Sequence, residues 1–257
     1  MGILDNTVIC IPSYHRHECQ KTVAYLSGTG VPKDKIYLFV QTEEDAAKYG
    51  AWKDKCQVVY KPANNLPQTR NNILEYCLRD NNVVMMDDDI SCIAFGSKRN
   101  KFTQITSLDV FSKTILRMFE ETQKRRGYMF GVYPVYNEYF MDDTVSTRVT
   151  VNTLIGFPRQ FPFRFDNNYI AKEDIELCGR VLKNGGNIIR FNNVAYKADH
   201  RTNKGGACDI WKTDANAHFA RTLCKTYPNI FAVQKNKPSE VRLVVKDVKQ
   251  KGIIWER

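Results

Sequence analysis

The sequence lacks the marks of several large protein classes. No run of apolar residues approaches the roughly 18 needed to cross a bilayer, and the opening MGILDNTVICIPSY has no basic segment followed by an apolar one. Its eight cysteines contain no C-x-x-C pair, which argues against a zinc ribbon and against a disulfide scaffold. There is no internal repeat, and no linker divides the chain. These absences predict a cytoplasmic protein with no membrane partner, whose mostly reduced thiols serve as core filler; a monomer is favoured, although the sequence does not fix the oligomeric state.

What is present supports a packed core. Of 257 residues, 43% are hydrophobic and 12% aromatic, enough for one large domain or two small ones and too apolar for disorder. Lys and Arg number 38 against 28 Asp and Glu, a formal charge of +10. That excess favours a polyanionic partner such as nucleic acid, a nucleotide or an anionic membrane, without choosing among them.

The first 90 residues alternate β-rich runs with helical patterns, as in a parallel sheet with crossover helices. Strands are expected at Thr7 to Ile11, Ile36 to Val40, Gln57 to Lys61 and Val83 to Met86. Helices are expected from about His17 to Ser27, stopped by Gly28 and Gly30, and from Pro67 to Leu78. Ligands then belong at the carboxyl ends of the strands. Further on, Ser107 can cap a helix running to Lys124, Arg125 and Arg126. Strands are expected at Tyr128 to Val135 and Arg148 to Ile155, a helix at Glu173 to Asn184, and a loop at Asp199 to Asp209. A basic tail from Lys235 carries one strand-like run, VRLVV.

The sharpest local feature is a buried strand, Val83 to Met86, running straight into Asp87, Asp88 and Asp89. Three like charges at a strand end repel, and such a cluster is stable when a hard divalent cation such as Mg2+ or Mn2+ accepts carboxylate oxygens, usually beside substrate phosphates; the alternative is a solvated acidic turn, since D-x-D is a short motif. Alternation along the extended chain puts Asp87 and Asp89 on one side. Pro12, Ser13 and Tyr14 end the first strand, Glu43 and Glu44 follow the second, and Arg70 and Asn71 open the helix after the third. All fall on one edge of the inferred sheet.

This constellation resembles the GT-A glycosyltransferases, with a Rossmann-like nucleotide-sugar half, a D-x-D metal motif and an acceptor half. The segment from Phe165 to Arg180, with its Glu173-Asp174 pair entering an amphipathic helix, continues the likeness, which covers roughly residues 7 to 200. The resemblance implies a single α/β domain over residues 1–257, a Rossmann-type mixed sheet flanked by helices, with residues 1–95 binding the donor and 96–257 the acceptor. It implies that Asp87 contacts the ribose or uracil and that Asp89 binds Mn2+ or Mg2+, Asp87 also lying in the metal site and His200 completing it. Pro12, Ser13, Tyr14, Arg16 and Arg70 would line the donor pocket, and Arg201 and Lys204 would neutralise the leaving diphosphate. Asp174 is the expected catalytic base and Glu173 the second choice; acids in a helix's first turn are also favoured by its dipole alone. His15 and His17 are expected to line the donor pocket or the surface.

The acceptor is less legible. Lys98, Arg99 and Lys101, then Lys124 to Arg126, then the tail form basic clusters, with aromatics from Tyr128 through Phe140. Basic groups neutralise phosphates and aromatic faces stack bases. The I-P-S-Y-x-R opening (Ile11 to Arg16), the Q-T-R-N helix start (Gln68 to Asn71) and the H-x-x-N-x-G-G loop (His200 to Gly206) resemble the phage and TET/JBP-associated glycosyltransferases. That family implies transfer from a UDP-sugar to 5-hydroxymethylcytosine in DNA, or to a sugar already on it. The alternatives are a saccharide or lipid-linked glycan acceptor, a nucleotidyltransferase using the same D-x-D chemistry, and a non-catalytic DNA-binding module.

Overall fold

The alternation read in the first 90 residues is realised as β1 (Thr7–Ser13), α1 (Lys21–Thr29), β2 (Ile36–Val40), α2 (Glu43–Lys48), β3 (Gln57–Tyr60), α3 (Leu66–Cys77) and β4 (Asn82–Met86). The computed structural model describes residues 4, 6–98, 100–198, 215–246 and 248–251. The second half contributes β5 (Ile90–Ser97), β6 (Asn100–Gln104), α4 (Leu108–Lys124), β7 (Gly127–Tyr133), β8 (Thr144–Thr147) and β9 (Leu154–Phe157). It ends with α5 (Glu173–Lys183), β10 (Asn187–Ala198), α6 (Ala215–Thr226), β11 (Phe231–Gln234), β12 (Lys237–Leu243) and β13 (Val248–Lys251).

One mixed sheet runs β13-β8-β10-β7-β9-β4-β1-β2-β3, and β5 pairs with β10 and with β6. β1 is parallel to both β2 and β4, and β2 is parallel to β3, so the carboxyl ends of these four strands share an edge. β9 inserts antiparallel between β4 and β7. Two apolar clusters clothe the sheet: one holds Ile9, Leu38, Val84 and Phe111, the other Val8, Phe39, Val83 and Leu177. Alternate residues of one strand thus serve opposite layers. A third cluster joins α6 and the β11–β12 hairpin through Leu223, Tyr227 and Phe231.

Local chemistry sets the helix starts. Asn65 caps α3 by accepting the Gln68 N–H at 3.0 Å, with Pro67 in the first turn, and Thr42 caps α2 through the Asp45 N–H at 3.1 Å. Helix α1 begins four residues later than the pattern predicts. The Gln20 amide donates to Ser13 Oγ at 2.8 Å and to the Arg16 carbonyl at 2.9 Å, and Trp52 Nε1 donates to the His17 carbonyl at 2.8 Å. These bonds occupy backbone groups that a longer helix would use. The expected strand at Arg148 to Ile155 is replaced by β8 and β9 on either side of a loop, because Arg148 (φ 60°) and Thr153 (φ 55°) are left-handed. The seven described cysteines are all free, five of them buried. No helix among the described residues is long and apolar enough to cross a membrane.

Candidate active site

The acidic turn after β4 is locked from both sides. Thr22, on α1, donates its hydroxyl to the Asp87 carbonyl at 2.5 Å and accepts the Ile90 N–H at 2.9 Å, while its own N–H reaches the Asp88 carbonyl at 3.3 Å. The Asp87 N–H donates to the Thr153 carbonyl at 3.0 Å. Thr22 was invisible in the sequence, since a threonine in an amphipathic helix carries no motif. Thr22→Val removes both side-chain bonds at constant shape and strands a buried carbonyl and N–H. It is expected to cost about 1–3 kcal/mol, read by urea unfolding; an unchanged midpoint would refute the anchoring role.

With the turn fixed, the carboxylates diverge. Asp88 turns toward β1, accepting Ser13 Oγ–H at 2.6 Å and the Arg16 guanidinium. Burial raises the Asp88 pKa, and Arg16 and Ser13 oppose that rise. Ser13 also meets the Tyr49 hydroxyl at 2.8 Å, which accepts the Arg16 N–H at 2.9 Å; burial pushes this phenol up to about 12. Arg16 and the β1 end are therefore knitted to the middle aspartate. His15, at φ 54°, is fastened to the buried Asp45 of α2 through its backbone N–H (3.1 Å) and Nδ1 (3.0 Å). Pro12 is buried and Tyr14 half-buried beside it.

Asp87 faces the other way, into a cluster centred on Arg70. Arg70 is 3% exposed, with Nη2 at 2.9 Å from Asp87 Oδ1 and 3.5 Å from Glu173 Oε1, and its guanidinium lies 5.5 Å from the Phe165 ring centroid. Burial works against the Arg70 charge, but Glu173, Asp87 and Asp174 outweigh it and raise its pKa. The next residue, Asn71, accepts the Phe165 N–H at 2.8 Å and donates to the Phe165 carbonyl at 2.9 Å. Adjacent residues of α3 thus join the end of β4 to the segment leading into α5, which explains why the Arg70-Asn71 pair sits where it does.

Helix α5 starts from a left-handed Lys172 that offers no side-chain cap, and carries Glu173, Asp174 and Glu176 in its first turn. Asp174 Oδ1 accepts the Ile175 N–H at 2.7 Å, and acids there are favoured by the exposed N–H groups. Burial pushes Glu173 up to about 7, with Arg70 opposing and Asp174 adding to the rise. Burial also raises Asp174, again against Arg70. Lys172 in turn pairs with Glu240 of β12 at 3.3 Å, so the C-terminal hairpin braces this helix start.

Tyr196 of β10 is a further site residue that sequence reading passed over, because it lay inside a strand-like run. It is 2% exposed. Burial raises its pKa, a hydrogen bond to Thr153 opposes this, and Asp87, Asp174 and Asp89 add to it. Its hydroxyl donates to Asn152 Oδ1 at 3.4 Å. Asp89 is itself buried.

The structure thus brings Pro12, Ser13, Tyr14 and Arg16 to one side of the Asp87–Asp89 turn, and Arg70, Glu173 and Asp174 to the other. His200, Arg201 and Lys204, and Arg99 of the first basic cluster, lie outside the described residues. Among the described residues no three His, Cys, Asp or Glu side chains form a metal cage. Asp87 and Asp89 offer hard oxygen donors, a set that fits Mg2+ or Mn2+ arriving with phosphate oxygens rather than an all-protein cage. The second basic cluster is partly consumed: Lys124 and Arg125 pair with Glu121 at 3.0 and 3.3 Å.

No curated protein matches the sequence. Among solved structures the chain is similar to S. aureus TarS 1-349 in complex with UDP (12% identity, TM-score 0.51, 85% of this chain and 65% of that one). It is also similar to the mannosyltransferase PcManGT from Pyrobaculum calidifontis in complex with GDP-Man and Mn2+ (11%, 0.55, 86% and 64%). A third is glucosyl-3-phosphoglycerate synthase from Mycobacterium tuberculosis in complex with Mn2+, UDP-glucose and phosphoglyceric acid (9%, 0.52, 94% and 88%). The chain spans just under two thirds of the first two, and the likeness to all three is one of fold. The TET-Associated Glycosyltransferase family matches residues 7–206, an interval containing the whole Arg70-centred cluster. The chain belongs to that family.

Proposed function

We propose that the protein moves a sugar from a UDP-sugar to the hydroxyl of 5-hydroxymethylcytosine in DNA, or to a sugar already attached there, with Mn2+ or Mg2+ as cofactor. The observation that carries this reading is the carboxylate cluster at the carboxyl edge of β1–β4, lying inside the stretch that matches the family. The uridine nucleotides and Mn2+ bound by structurally similar proteins support the donor and the metal. The family description and the +10 charge support DNA as acceptor.

In this reading Pro12, Ser13 and Tyr14 line the nucleotide pocket, and Arg16 shapes it through its bond to Asp88. Asp87, oriented by Arg70, would contact the ribose or uracil and share in holding the metal. Asp89 would be the principal metal ligand, with His200, which lies outside the described residues, as a further one. A bound cation would supply charge neutralisation for the diphosphate. Asp174 accepts the proton of the acceptor hydroxyl as its oxygen bonds to the anomeric carbon. The bond from that carbon to the diphosphate oxygen breaks, and UDP leaves with the electron pair. Arg201 and Lys204 balance the charge left on UDP. Glu173, pushed up to about 7 by burial, shares the Arg70 guanidinium with Asp87.

The test is a Mn2+-supplemented panel of UDP-sugars offered with plain and hydroxymethylated DNA, followed by mass analysis of the nucleosides. A hexose or pentose mass on hydroxymethylcytosine alone is expected, with UDP released. Release of pyrophosphate from a nucleoside triphosphate, or transfer to a saccharide in preference to DNA, would overturn the assignment. DNA binding should weaken about 10³- to 10⁵-fold between 50 and 200 mM salt for roughly six to ten phosphate contacts, a loss that a neutral saccharide acceptor would not show.

A further inference from the structure

Strand β5 leaves the acidic rim directly, Ile90 following Asp89, and pairs with β6 in a hairpin that turns between Ser97 and Asn100. Gly96 has no side chain, and a Cβ there would lie 2.8 Å from the Phe102 ring. Phe102 can therefore lie close across β5, and it stacks on Tyr136 with centroids 3.9 Å apart and planes 7° from parallel. Cys92, three residues past Asp89, donates its thiol to the Tyr136 hydroxyl at 3.7 Å. The Lys98 N–H donates to the Met141 carbonyl at 3.2 Å, which fixes the short turn Glu138–Phe140 against the hairpin tip.

From this backing Tyr139 and Phe140 project 68% and 55% exposed, edge to face with centroids 5.3 Å apart. Lys98 Nζ lies 5.6 Å from the Tyr139 centroid, and Lys101 is exposed on β6. The acids nearby are Glu138, half-buried, Asp143, exposed, and Asp142, whose carboxylate is held by Lys249 Nζ at 2.6 Å. Two open rings with ammonium groups beside them suit a partner having flat apolar faces and regularly spaced anions. A protein interface core, by contrast, is depleted in lysine.

We propose that the Tyr139–Phe140 platform binds an unpaired stretch of the acceptor DNA strand, the rings stacking on bases and Lys98 and Lys101 meeting the adjoining phosphates. This rests on the DNA reading above and adds a substrate class to it: acceptor DNA that is single-stranded on one flank. The run from Ile90 to Ser97, at about 3.3 Å per residue, is roughly 23 Å long. An acceptor strand must therefore extend several nucleotides along its unpaired flank to reach the platform.

The experiment compares the wild type with a Tyr139→Ser/Phe140→Ser variant and with a Lys98→Gln/Lys101→Gln variant. Each is given a 20-nucleotide single strand, the same sequence as duplex, and a 5-nucleotide strand, all carrying one central hydroxymethylcytosine. The wild type should favour the long single strand over the duplex. The ring variant should raise KM for that strand at least about fivefold per ring lost, while kcat, donor KM and transfer to the 5-nucleotide strand stay unchanged. The lysine variant should lower the salt slope by about 1.4. Equal KM values for the ring variant and the wild type on the long strand would overturn this proposal and leave the DNA reading standing, as would a wild type indifferent to strandedness. A wild type inactive on every DNA would overturn both. Ring-dependent binding to phosphatidylserine vesicles, with DNA kinetics unmoved, would assign the patch to a membrane instead.

Discussion

Asp174→Asn protein is expected to bind the sugar nucleotide as the wild type does and to transfer the sugar about 10²- to 10⁴-fold more slowly, the contribution ordinarily made by a positioned general base. The substitution keeps the acceptor oxygen that bonds the Ile175 N–H, so α5 keeps its start. Titration calorimetry with the donor and single-turnover transfer separate the two effects; an Asn variant turning over at the wild-type rate would remove Asp174 from the chemistry. Glu173→Gln is the matched control, because Glu173 faces Arg70. The pH profile carries a sign. Burial raises both carboxyls of this coupled pair, Glu173 to about 7, and a base works only when deprotonated. The rising limb of kcat/KM is therefore expected above the ordinary carboxylate range, toward neutrality, and to move downward in Glu173→Gln as one neighbouring negative charge is lost. For stability the same shift works in reverse. A carboxyl whose folded pKa exceeds its unfolded value of 4.5 stabilises the fold at acid pH, and that contribution disappears as pH rises through about 7.

Arg70→Met is expected to damage the protein more broadly. Removing one partner from a buried ion pair strands the others, at about 3–5 kcal/mol, and here a single guanidinium serves both Asp87 and Glu173. The thermal midpoint should fall by many degrees, and the remaining folded protein should bind donor poorly because Asp87 is no longer held. Arg70→Lys preserves the charge but lacks the planar fork and its position over Phe165, so partial recovery is expected. Pairing Arg70→Met with Glu173→Gln removes one stranded charge and should recover part of the lost stability; strict additivity of the two changes would show that the pair is not coupled.

The first 90 residues of the fold were legible because their signals are local. The strands ending at Ser13, Val40, Tyr60 and Met86 are short apolar runs, and α3 and α4 begin at Asn65 and Ser107 caps that bond the backbone three positions on. The start of α1 was not legible, since the bonds that displace it come from Gln20 folding back on Ser13 and from Trp52, 35 residues on. The loop between β8 and β9 was equally hidden, since its left-handed residues are Arg148 and Thr153 rather than glycines.

The same division runs through the site. That Asp87, Asp89 and Arg70 share one edge could be written from the order of motifs along the chain, because strand alternation and crossover topology send strand ends to one edge, while Glu173 and Asp174 entered through the resemblance. The pairings among these residues were decided only in three dimensions. Arg70 and Glu173 stand 103 positions apart, Thr22 and Asp87 65, and Asp88 joins the β1 loop while its neighbour faces α5. Amino-acid order by itself determined the alternation of strands and helices in the first 90 residues and which edge bears the acids, since propensity, period and capping act over a few residues. Tertiary packing alone decided which acid meets Arg16, which meets Arg70 and which carboxyl burial raises to about 7. Those outcomes depend on burial and on charges brought within a few ångströms by distant segments.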